Sequence, residues 1–100
     1  MKRLDLLVNE RELELLLKRL EQVGVPGYSV NRHVTGRGGS GTVVSEAMEF
    51  SGLGANAHVI VFCDSSLLES LAAELKPLLK TYGGVAYVSD AKPVERFRQK

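Results

Sequence analysis

Three groups of residues have the types and spacing to hold an anion. The first is the run Thr35-Gly36-Arg37-Gly38-Gly39-Ser40-Gly41-Thr42. Backbone without Cβ atoms can turn its amides toward a phosphate, and Arg37 adds a guanidinium suited to the same oxygens. The run follows a strand-like segment, and no helix signal follows it. It is therefore neither a Walker A loop nor a dinucleotide fingerprint, since both open a helix. The second group is Gly83-Gly84, between a helical pattern and a strand pattern. The third is Arg96 and Arg98, whose i, i+2 spacing puts both guanidinia on one side of an extended tail. Each alone has an ordinary reading: a turn, a helix stop, a solvated tail. Their co-occurrence, on a fold that can gather them, argues for a phosphate site.

Other chemistries are poorly served. No Ser-His-Asp or Cys-His arrangement is legible. His33 and His58 both fall within strand patterns, where a packed or hydrogen-bonded structural histidine is expected. No His, Cys, Asp or Glu cluster has metal-ligand spacing, so no metal is expected. Glu46 and Glu49 would share a face only if their segment were helical, and solvation is the plainer expectation. Cys63, the only cysteine, ends an apolar run and reads as a buried, inert thiol.

The elements that must position these groups follow from periodicity. Leu4–Val8 reads as a strand. Asn9 with Glu12 reads as a capping box opening a helix. Leu13, Leu16, Leu17 and Leu20 form its buried face, Gly24 its C-cap, and Pro26-Gly27 a turn. Tyr28–Val34 alternates as a strand with unequal faces. The pattern then lapses from Gly36 to Asn56, a loop long enough to suggest function. Ala57–Cys63 is a near-continuous apolar run, expected to be a central strand buried on both faces. Ser66 and Glu69 suggest a second capping box. Leu68, Leu71, Ala72, Leu75, Leu79 and Tyr82 form the second helix's inner face, with Pro77 expected to kink or shorten it. Val85–Val88 is the last strand, and a polar tail runs over 89–100. The order β-α-β-loop-β-α-β gives an α+β, ferredoxin-like (split βαβ) fold, with one antiparallel sheet and both helices on one face. One domain over 1–100 is expected.

The composition agrees. The chain has 100 residues, 44% hydrophobic and 25% charged, with a formal net charge of +1. This allows one modest core, gives no sign of non-specific nucleic-acid binding, and leaves assembly as a natural source of further burial. No signal-peptide core or membrane-span pattern occurs, so a soluble cytoplasmic protein is expected. With helices on one face, the sheet's other face needs a cover, and assembly would supply it.

The β-α-β-loop-β-α-β order, Gly27-Tyr28-Ser29-Val30 entering the second strand, the loop over 36–56, Gly83-Gly84 before the last strand and the Arg96-Phe97-Arg98 tail together resemble the PII signalling family over nearly the whole chain. The resemblance implies a non-enzymatic homotrimer that binds adenine nucleotides in clefts between subunits. It also implies that the 36–56 segment, the family's T-loop, docks on a transporter, channel or enzyme. By position it implies adenine contacts at Gly27 and Ser29 and a phosphate segment at Thr35, Gly36, Arg37, Gly38 and Gly39. Val61 would lie on the strand lining the base. Gly83 and Gly84 would form the B-loop, with Val85 in place of its lysine, and Arg96 and Arg98 would reach phosphates from the adjacent subunit. The departures are a shortened B-loop and the lack of tyrosine, glutamine and lysine between Gly36 and Asn56. They favour ADP, AMP or cyclic AMP, without metal, over a magnesium triphosphate with 2-oxoglutarate. The pattern is closer to the carbon-linked PII-like branch, the carboxysome-associated type. That resemblance alone brings bicarbonate as a ligand and a bicarbonate transporter as a protein target. The alternatives are an acylphosphatase-type enzyme, disfavoured because no glycine loop precedes the first helix, and a trimeric structural or metal-tolerance module without nucleotide.

Overall fold

A computed structural model of the chain describes residues 1–34 and 56–95. It contains β1 (Lys2–Asn9), α1 (Leu13–Val23), β2 (Tyr28–Val34), β3 (Asn56–Cys63), α2 (Leu68–Tyr82) and β4 (Val85–Asp90), with 3-10 turns at Glu10–Glu12 and Ser65–Leu67. The four strands form one sheet in the order β2-β3-β1-β4, and each neighbouring pair is antiparallel. This is the expected βαββαβ arrangement.

Alternation in β1 and β3 decides where the core lies. Leu4, Leu6 and Val8 from β1 join Ala57, Val59, Val61 and Cys63 from β3 on one sheet face. Leu13, Leu16 and Leu20 of α1 and Leu71, Leu75 and Leu78 of α2 close over them. Burial of each such side chain is worth about 1.5–3 kcal/mol, so this layer holds the fold. The helices lie side by side, bridged at their rim by Arg19 and Glu74 at 3.6 Å. Gly24 ends α1 at φ 94°, a left-handed cap that costs glycine little, and its N–H reaches the carbonyls of Leu20 and Glu21.

Several expectations fail locally. β3 is buried on one face only: His58 and Ile60 are half-buried and Phe62 is 43% exposed. Uniform apolarity predicted two covered faces, but the described residues supply one helical layer. Asn9 caps the 3-10 turn, accepting from the Arg11 amide at 2.9 Å, while α1 starts later at Leu13 without a side-chain cap. Ser66 likewise lies inside a 3-10 turn, where its hydroxyl donates to Asp64 at 2.9 Å, and α2 also lacks a side-chain cap. Pro77 does not shorten α2, which runs through to Tyr82. Pro77 and Ala73 are both exposed, so the carbonyl without its donor faces water. The inner face of α2 takes Leu78, and Tyr82 is 49% exposed. The tail starts after Asp90: Ser89 and Asp90 pair with Arg3 and Lys2, and Lys2 binds the Asp90 carboxylate. Asn56, expected as the end of the long loop, is the first residue of β3.

Candidate functional site

Gly27, Ser29, Val61, Gly83, Gly84 and Val85 fall on described parts of the fold. Thr35, Gly36, Arg37, Gly38, Gly39, Arg96 and Arg98 lie outside the described residues, as do Glu46, Glu49 and most of the 36–56 segment.

Gly27 and Ser29 sit at the start of edge strand β2, both exposed. A Cβ added at Gly27 would meet nothing within 4 Å, so its own chain leaves open space there. Tyr28 between them is tied to α1 by its hydroxyl, which donates to Glu21 at 3.0 Å. That carboxylate pushes the pKa of the phenol upward. Val61 is fully buried in the core, so any contact it makes with a ligand would come from its backbone.

Gly83, Gly84 and Val85 join α2 to β4 at the opposite edge. The amide of Gly83 closes the helix on the carbonyl of Leu79 at 2.8 Å. Gly84 has φ 110°, and a Cβ there would stand 2.8 Å from the Leu7 carbonyl oxygen. Its glycine is thus required by the packing of β4 on β1. β3 and β1 stand between the two glycine groups, so three strand spacings of about 4.8 Å separate the sheet edges, roughly 14 Å. One chain does not bring the two groups together.

The uncovered face carries features that the sequence reading missed. Arg3 donates to both oxygens of Asp5, at 2.9 and 3.0 Å, and lies 5.7 Å above the Phe62 ring. His58 Nε2 stands 2.8 Å from Asp5 Oδ1. The Arg3 hydrogen bonds, and then that of His58, hold the Asp5 carboxyl below the usual carboxylate range against the opposing effect of burial. Ile60 and Tyr87 flank Asp5 in register. The i, i+2 spacing of Arg3 and Asp5 on a strand was the available signal. His58 fits the structural role expected of it. Burial pushes the Cys63 thiol upward, as suits an inert thiol.

At the end of the sheet where residues 35–55 begin and end, Val34 pairs with Asn56 and Asn56 with Asn9. Among the described residues the buried side-chain oxygen of Asn56 has no hydrogen-bond partner. Glu10 accepts from the backbone amide of His33 at 2.8 Å and from Arg32 at 3.4 Å. Among the described residues no three His, Cys, Asp or Glu side chains gather into a metal-binding group, and no helix is long and apolar enough to cross a membrane.

Solved structures share this architecture. CPII from Thiomonas intermedia K12 bound to ADP, AMP and acetate aligns at 22% identity over 87% of this chain and 81% of that one, with a TM-score of 0.72. The same protein bound to ADP and bicarbonate aligns at 22% identity over 88% and 82%, with a TM-score of 0.70. A PII-like signaling protein from Thermus thermophilus aligns at 16% identity over 88% and 83%, with a TM-score of 0.65. At these identities the likeness establishes the fold. No curated protein matches by sequence. The family described as nitrogen regulatory protein P-II matches residues 1–100 from end to end, and the chain therefore belongs to that family.

Proposed function

We propose that the protein is a non-enzymatic cytoplasmic regulator of the PII-like type. Three copies assemble, and ADP or AMP binds in the clefts between them. The observation that carries this reading is the placement of Gly27 and Ser29 on the β2 edge and Gly83-Gly84 on the β4 edge. A ligand touching both groups is met most simply where the β2 edge of one copy lies beside the β4 edge of another. The half-apolar second face of the sheet supports assembly independently. In this arrangement Gly27 and Ser29 border the adenine, with Val61 contributing backbone. Thr35, Gly36, Arg37, Gly38 and Gly39 hold phosphate together with Gly83, Gly84 and Val85, and Arg96 and Arg98 reach in from the adjacent copy.

The segment 36–56 then reports nucleotide state to a membrane transporter or another protein target, with a bicarbonate transporter as the leading candidate. Bicarbonate as a second ligand is supported by the ADP and bicarbonate complex of CPII. Assignment to the carboxysome-associated type rests on the sequence departures described above.

Calorimetry with AMP, ADP, ATP and cyclic AMP, with light scattering on the same samples, tests the reading. The expected result is a trimer that binds ADP or AMP. A charge-assisted hydrogen bond is worth about 1.5–3 kcal/mol, so Arg37→Ala, or Arg96→Ala with Arg98→Ala, should each weaken binding roughly ten- to hundredfold. A monomer at micromolar concentration, or no response to any of the four nucleotides, would sink it.

A further inference from the structure

His33 is the only non-glycine residue with positive φ among the described residues, at 60°. A left-handed backbone is uncommon outside glycine, and such conformations persist where the surroundings hold them. The pairing of β2 with β3 shifts register between Asn31 and Val34. Arg32 and His33 therefore bulge out of the ladder, and the amide of His33 turns to an acceptor outside it.

Glu10 supplies it. This residue opens the 3-10 turn after β1, and its side chain is 19% exposed. Its two carboxylate oxygens divide their work. Oε2 accepts the His33 amide at 2.8 Å, while Oε1 meets the Arg32 guanidinium at 3.4 Å. The His33 ring nitrogen Nδ1 lies 3.6 Å from Oε2. β3 separates β1 from β2 in the sheet, so Glu10 reaches past the first residue of β3 to its target. One carboxylate thus satisfies the backbone donor freed by the bulge and fixes both bulged residues.

We propose that Glu10 is a positioning residue: it locks the left-handed bulge at His33 and so sets the direction in which the chain leaves β2. The inference rests on the nucleotide-binding reading above, because the proposed phosphate segment at Thr35–Gly39 starts two positions after His33. In this role Glu10 acts through His33.

The test uses the full-length protein and ADP, with Glu10→Ala, Glu10→Asp and Glu10→Gln. Amide hydrogen exchange at His33 reports the lock directly, and calorimetry reports its consequence. Removing the acceptor in Glu10→Ala should speed His33 exchange at least about tenfold and weaken ADP binding by roughly threefold to tenfold. Glu10→Asp keeps the charge but withdraws the carboxylate by one methylene, so it should behave like Glu10→Ala and serves in its place if that variant does not fold. Glu10→Gln keeps an acceptor at the same reach and should restore most of the protection and affinity. Unchanged His33 exchange in both Glu10→Ala and Glu10→Asp would overturn the lock. Faster exchange with unaltered ADP affinity would overturn the positioning role. If the unmodified protein binds no adenine nucleotide, the functional reading fails, and exchange at His33 alone decides the lock.

Discussion

On one face of the sheet Leu4, Leu6, Val8, Val59 and Val61 are at most 4% exposed. On the other, Arg3, Asp5, Leu7, His58 and Ile60 are half-buried and Phe62 is 43% exposed. The same two central strands supply both sets. The first face is complete within one chain, because α1 and α2 cover it with leucines. The second has apolar side chains around a pre-formed Arg3–Asp5–His58 network and no cover from the described residues. The difference teaches that the core occupies one side of these strands, while the proposed assembly would use the other. A substitution can therefore strike one and spare the other.

The largest expected effect is on the covered face. Leu16→Ala removes a fully buried side chain and should cost about 2–5 kcal/mol of unfolding free energy, measured by urea titration. Phe62→Ser on the open face should leave the core intact but shift the assembly toward monomer in light scattering. If Phe62→Ser keeps the mass of the unmodified protein, the open face is not the interface, and the contrast between the two faces loses its meaning.

Next in size is Gly84→Ala. It combines positive φ with a Cβ 2.8 Å from the Leu7 oxygen and 3.1 Å from Leu79 and Val8 side-chain atoms. Strain of this kind costs about 1–3 kcal/mol, and backbone oxygen cannot swing aside as a side chain can. A variant as stable as the parent would show that β4 can move off β1, and that the glycine at this edge is free for ligand contact alone.

The order of elements was legible because each has its own period. Leu13, Leu16 and Leu20 repeat as a helix face, Tyr28–Val34 alternates, and Gly24 stops α1 where a left-handed cap is needed. The single helical layer followed from the order of elements, but Ala-His-Val-Ile-Val-Phe-Cys is apolar on both sides, so its own hydropathy could not tell which of its faces that layer covers. The role of Glu10 was hidden for another reason. Its partner lies 23 positions away and is a backbone amide, freed by a bulge that no side chain announces. The family resemblance implies a ligand role for Gly84, whereas its closest demand in the structure is steric, set by Leu7 across the sheet. Of the candidate site, Gly27, Ser29, Val61, Gly83, Gly84 and Val85 have a described place, and the charged groups meant to meet phosphate do not.

A smaller effect probes the open-face network by pH. The Asp5 carboxyl is held below its ordinary value, first by Arg3 and then by His58. Its folded pKa lies below the unfolded one, so the stabilisation is present above the unfolded value, about 4, and is lost as pH falls through the folded value. Asp5 is partly solvated, with 24% of its side chain exposed, so the pair is worth up to about 1 kcal/mol. Asp5→Asn should lower stability by that amount at neutral pH, and the gap between variant and parent should narrow below pH about 4. A gap that stays constant down to acid pH would assign the loss to packing rather than to charge. If the pH-dependent gap is larger in the assembled protein than in Phe62→Ser monomers, the network lies within the interface.

The smallest expected change is the most discriminating for the site. Gly27→Ala places a Cβ where nothing of its own chain lies within 4 Å, at an exposed turn without positive φ, so unfolding stability should move by less than about 0.5 kcal/mol. If Gly27 borders the adenine, that methyl competes with the base for the same space, and ADP affinity should fall by about tenfold. Stability and affinity are thus expected to separate at Gly27, where no contact of its own chain is at stake, whereas Gly84→Ala is expected to lower both, because one Cβ disturbs the packing as well as the proposed cleft. A Gly27→Ala protein that binds ADP as the parent does removes Gly27 from the cleft. One that loses stability instead shows that another chain, rather than a ligand, fills the space beside Gly27 on the β2 edge.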